Sequence, residues 1–85
     1  MNRTQILAEA SRLTNGNRDK AYGEPLINHQ RIAAIWTVIL GIEIRPDQVA
    51  LCMVGVKLAR LVETPIHEDS NIDGAAYFAI AGEIA

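Results

Sequence analysis

The sequence predicts an all-α fold, a compact four-helix domain, from three observations. Apolar residues recur at three- and four-residue spacing over long stretches, Gly and Pro interrupt those stretches at well-separated places, and no stretch keeps the strict alternation of a half-buried strand. The first helix spans residues 3 to 14, with Ile6, Leu7, Ala10 and Leu13 at helical spacing, and stops at Asn15-Gly16. A polar loop, Asn17 to Glu24, follows. Pro25 suits the first turn of a second helix that runs to Gly41, with Ile32, Ile35, Trp36 and Ile39 on its apolar side. The β-branched cluster from Ile35 to Leu40 has some strand character, but the residues upstream do not alternate, which favours helix. Arg45-Pro46-Asp47 restarts the chain into a third helix that ends near Glu63, before Thr64-Pro65. Ser70 with Asp73 three residues later has the form of a capping box and opens a fourth helix running to the C-terminus.

Size and composition limit what such a domain does. Eighty-five residues make one small domain, and 49% of them are hydrophobic, so a homo-oligomer that buries apolar surface between protomers is expected, with faces of helices two and three contributing. The formal charge is -2 with no basic block, which argues against general nucleic-acid binding. Lys57 and Arg60 interrupt the longest apolar run, and no signal peptide or membrane span is visible, so a cytoplasmic protein with no membrane partner is expected. The single cysteine, Cys52, and Trp36 both read as core residues.

Chemistry concentrates in two places. From Val49 to Val62 nearly every residue is apolar or small, so a helix there is expected to be buried on most of its circumference, with Lys57 the exception. Its neighbours at three and four residues are Met53, Val54, Arg60 and Leu61, and an unpaired charge in such surroundings costs about several kcal/mol. A short turn makes helices three and four antiparallel, bringing Lys57 and Arg60 beside the first turns of the fourth, where Asp69, Asp73 and Tyr77 are spaced by four and His67 precedes. Two readings stand here. The cluster is a site for an anionic ligand, or Asp73 caps its helix and a Lys57 to Asp73 salt bridge closes the bundle.

The second place is the loop and the start of helix two: Arg18, Lys20, Tyr22, Asn28, His29 and Arg31. Arg and Lys hold phosphate, Tyr22 can stack on a base, and Asn28 can read an amide or base edge. The plain alternative is a solvated loop with Tyr22 over the core and His29, on one helical face with Ala33, Trp36 and Leu40, as a satisfied core histidine. No zinc-ligand spacing, glycine-rich phosphate loop or nucleophile motif is present, so no catalytic residue and no metal ligand is assigned.

These residues carry a resemblance. Asn17-Arg18 through Tyr22-Gly23-Glu24-Pro25, then Asn28 to Trp36, then Lys57-Leu58-Ala59-Arg60-Leu61, then His67 to Asp73 and Tyr77 together resemble a small phage and prophage family of uncharacterised proteins, over almost the whole chain. That family is similar, more distantly, to the MazG-like all-α nucleotide pyrophosphohydrolases, helical oligomers that use Mg²⁺. By that resemblance Asp69 and Asp73, spaced by four rather than three, stand in place of the second acidic metal motif. The preceding helix, however, offers Lys57 and Arg60 where carboxylates are wanted, and a positive pair repels a metal and attracts phosphate unless Glu9 or Glu83 completes a site.

Three functions follow, in order of expectation. The first is a phage-type, non-catalytic binder of a nucleotide or nucleotide-derived signal, with no cofactor, that sequesters the molecule, for example from a host defence pathway. The second is a Mg²⁺-dependent pyrophosphohydrolase acting on (d)NTPs. The third is a helical module that binds a host protein. If phage-encoded, the protein works in the host cytoplasm.

Overall fold

A computed structural model describes residues 1–15 and 24–85. All regular structure among these residues is helical: α1 (Arg3–Thr14), α2 (Pro25–Leu40), α3 (Pro46–Glu63) and α4 (Glu68–Ile84). The four segments expected from punctuation are present, and the caps explain three of the starts. In α1, Asn2 Oδ1 accepts the Gln5 backbone N–H at 2.8 Å while Gln5 Oε1 accepts that of Asn2 at 2.9 Å, a reciprocal capping box. In α2, the Glu24 carboxylate accepts the Ile27 N–H at 3.3 Å, and Pro25 loses nothing at a position whose N–H has no helical partner. Gly41 closes the helix at φ 71, a conformation that favours glycine. In α3, Pro46 again occupies the first turn and Gln48 Oε1 reaches back to the Arg45 N–H at 2.9 Å.

The fourth start corrects the sequence reading. Ser70 is not the cap and Asp73 does not complete a capping box with it. The helix begins at Glu68, and His67 caps it, its Nδ1 accepting the Ser70 N–H at 3.2 Å. Ser70 is 1% exposed and its Oγ lies 2.8 Å from the same nitrogen. The imidazole has taken the acceptor role expected of the serine, which turns the hydroxyl inward and leaves Asp73 free for another partner.

Packing is organised around α4. On one side Ile6, Ala10 and Leu13 of α1 meet Ile72, Ala75 and Ala76. On another Ala50 of α3 meets Tyr77, Ile80, Ala81 and Ile84. The main neighbour of α2 is α3, and α2 touches α4 only lightly. Thr37 ties the α2 to α3 turn, its Oγ1 donating to Ala33 O at 2.7 Å and accepting Ile44 N–H at 2.9 Å.

Burial departs from expectation on α3. Only Val49, Ala50 and Val54 are buried, while Leu51, Val56, Leu58 and Val62 are exposed. Cys52 is exposed rather than a core thiol. Positions 49, 50, 53, 54, 57 and 61 turn inward, and position 52 falls on the opposite face. Trp36 is half-buried, so it covers the core from its edge.

Candidate functional site

The antiparallel pairing of α3 and α4 brings the Lys57 Nζ to 3.2 Å from Asp73 Oδ2. Both are half-buried, at 15% and 29% side-chain exposure, so the pair is shielded from water without being sealed. Tyr77 follows one turn beyond Asp73, and from α2 the His29 ring meets it edge-on, with centroids 6.3 Å apart and planes at 65°. Lys57, Asp73, Tyr77 and His29 thus run from α3 across α4 to α2.

His29 is 4% exposed. Its Nδ1 lies 2.7 Å from Pro25 O, and because a carbonyl only accepts, that nitrogen carries the hydrogen. Its Nε2 is buried with no hydrogen-bond partner among the described residues. The expected core histidine is buried, and among the described residues one of its two ring nitrogens is paired.

Two hollows adjoin the ion pair. The larger is a mostly apolar groove of about 160 Å³ between α3 and α4, with Lys57, Ser70 and Asn71 as polar residues, Leu58, Leu61 and Phe78 as apolar walls, and Gly74 in its lining. The Lys57 stem lies against α4, with 3.9 Å between its Cβ and a Cβ built at Gly74. The smaller hollow, about 20 Å³, is lined by Leu13, Thr14, Asp73, Ala76, Tyr77 and Ile80, and is large enough for a single water. Lys57 lines the first and Asp73 the second, so the ion pair links them.

The remaining predicted residues are more scattered. Arg60 is exposed in the last turn of α3, and Asp69 is exposed in the first turn of α4, where a carboxylate suits the helix dipole. His67 is the cap described above. Asn28 is half-buried and Arg31 exposed on α2. Arg18, Lys20 and Tyr22, like most of the predicted loop, lie outside the described residues. Sequence reasoning missed the groove's α4 wall: Asn71, Gly74, Ala75 and Phe78 share one helical face, a pattern visible in the spacing but faint because α4 is apolar around most of its circumference.

Electrostatic shifts lie away from both hollows. The Glu9 carboxyl is held below its ordinary range by the hydrogen bonds and charge of Arg12, and Asp47 is held low in the same way by Arg45, whose Nε is 3.1 Å from Asp47 Oδ1. Among the described residues no group of three or more His, Cys, Asp or Glu stands close enough to hold a metal ion. Asp73, one of the two aspartates a magnesium site would require, is engaged by Lys57, so these residues do not form the donor set that Mg²⁺ wants. No helix of the described residues is long and apolar enough to cross a membrane.

Comparison with known proteins places the chain. Residues 5–85 match the family described as a domain of unknown function, DUF6378. The Gene 55 protein of Mycobacterium phage L5 is 38% identical over 76 residues, which cover 88% of this chain and 49% of that protein. The Gene 55 protein of Mycobacterium phage D29 is 43% identical over 72 residues, covering 85% of this chain and 48% of that protein. The chain therefore spans about half the length of these curated relatives. No solved structure matches it. The chain belongs to the DUF6378 family, an uncharacterised family with phage relatives.

Proposed function

We propose that this DUF6378 domain binds a small anionic, nucleotide-class ligand in the groove between α3 and α4 and holds it without turnover. One observation carries the reading: the half-buried Lys57 side chain, whose ammonium pairs with Asp73, lines a mostly apolar groove whose rim carries Phe78 and Leu58, both more than half exposed. A cation with one carboxylate beside it retains hydrogen-bond donors for a phosphate, the Asn71 amide can read a polar edge, and Phe78 offers a face on which a base can stack. Ligand pockets combine apolar walls with a few converging polar groups in this way.

The groove is smaller than the roughly 300 Å³ at which such pockets usually begin, so it takes one part of the ligand and leaves the rest over the rim. Retention rather than hydrolysis is the reading that the ion pair supports, since Asp73 serves Lys57 rather than a metal that would activate water. In a phage-encoded protein, retention of this kind would withdraw a host nucleotide signal, and an anti-defence role follows from that.

A thermal-shift screen against nucleotides, cyclic nucleotides and ADP-ribose derivatives, with and without Mg²⁺, tests the reading. A rise in Tm with the ligand recovered intact supports it. A ligand recovered cleaved supports the pyrophosphohydrolase, and no shift across the panel removes nucleotide binding. Gly74→Leu fills the groove from a helical position without left-handed strain, and should abolish the shift while the protein stays folded.

A further inference from the structure

Among the described residues nothing covers the face of α2 directed away from its own core. His29, Ala33 and Trp36 turn toward the protein, and on the opposite side of the cylinder stand Ile27, Arg31, Ile35 and Val38, with Ile42 just beyond the helix. Ile35, Val38 and Ile42 are 57%, 83% and 62% exposed, and Ile39 beside them is 71% exposed. From Ile32 to Ile42 there is no charged residue. A helix apolar on the side facing water as well as the side facing its core needs a second surface to cover it.

We propose that this stripe is the two-fold interface of a homodimer, in which α2 packs antiparallel against α2 of a second copy. Charge selects a second copy as the occupant.

Arg31 and Glu43, both exposed, flank the apolar stretch, Arg31 within α2 and Glu43 beyond the Gly41 cap. An antiparallel arrangement sets the Arg31 end of one stripe toward the Glu43 end of the other, and the two-fold operation repeats that pairing on the other side. An apolar centre rimmed by opposite charges is the composition of a specific interface, and parallel packing would bring Arg31 to Arg31 instead. The stripe shares no lining residue with the α3–α4 groove, so dimerisation and ligand binding succeed or fail independently.

Sedimentation equilibrium of the 85-residue chain at micromolar concentration should give twice the 9.3 kDa protomer mass. Val38→Asp should give a protomer mass, with helical circular dichroism retained because Val38 is exposed in each protomer. Arg31→Glu should raise the dimer dissociation constant by about tenfold or more through like charges at both rims, and adding Glu43→Lys should restore it. A monomeric parent chain overturns the proposal. So does a mass unchanged by Val38→Asp, or a charge swap that fails to rescue.

Discussion

His67, Ser70 and Asp73 show how one side chain's choice of partner redirects its neighbours. Because the imidazole accepts the Ser70 N–H, Ser70 turns inward and Asp73 is released from capping to meet Lys57. The readings of Lys57 as ligand group and as structural partner are thus compatible, since the same side chain pairs with Asp73 and lines the groove. Lys57→Met should cost about 1–3 kcal/mol in chemical denaturation, less than for a fully buried pair because both side chains keep some water contact. Lys57→Met with Asp73→Asn should recover most of that stability and still fail to bind a nucleotide. Full affinity in a well-folded double variant would exclude Lys57 from the ligand site. Spacing made this cluster legible, because residues four apart on an antiparallel neighbour must meet. The imidazole cap was not legible, since a histidine and a serine both offer an acceptor three residues apart and only packing chooses between them.

Titration offers a second test at this scale. Asp47 is held low by Arg45, so its carboxyl stays ionised in the folded protein at pH values where the unfolded chain takes up a proton. The associated stabilisation is present above the unfolded value and is lost as pH falls through the lower folded one. A carboxyl NMR titration should place Asp47 below the ordinary aspartate range, and Arg45→Ala should move it back up. An unchanged midpoint in that variant would show that Arg45 is not the cause.

At the scale of the helix, most boundaries were legible, the start of α4 excepted, and faces were not. Pro25, Gly41, Pro46 and Thr64 act on the backbone locally, through a missing N–H, a left-handed φ or a restricted neighbour, so they mark ends whatever the tertiary context. Burial is a relation between helices, and α3 is apolar around so much of its circumference that periodicity cannot say which side is inward. Cys52 is the clearest casualty: its apolar setting in sequence suggested the core, and it faces out. Its thiol should therefore react fully with a maleimide in the native protein, without denaturant, whereas a core thiol would react only on unfolding. The groove wall allows a further check, because Gly74 sits in a helix with only ordinary contact awaiting a methyl group. Gly74→Ala should raise stability by about 0.5–1 kcal/mol through helix propensity, and a loss of stability would mean that the groove is tighter than its lining indicates.

For the whole molecule, the arrangement around α4 predicts an order of stability. This helix carries the α1 contacts on one side and the α3 contacts on another, and it includes Ser70, Ile72, Ala76, Ile80 and Ala81 among its buried residues. By contrast, α1 has α4 as its one substantial neighbour and buries only Ala10 fully, although Met1 and Glu68 tether its start through an ion pair of 2.7 Å. An exposed terminal ion pair adds little, about 0–1 kcal/mol, so it does not compensate for the thin apolar contact. Native-state hydrogen exchange should then show α4 amides opening only with global unfolding, while those of α1 exchange through a smaller, local opening that leaves α3 and α4 in place. Removing the tether with Glu68→Gln should make α1 exchange slightly faster and leave α4 unchanged. If α1 is protected as strongly as α4, the first helix belongs to the same cooperative unit and α4 is not the singular centre that its burial implies.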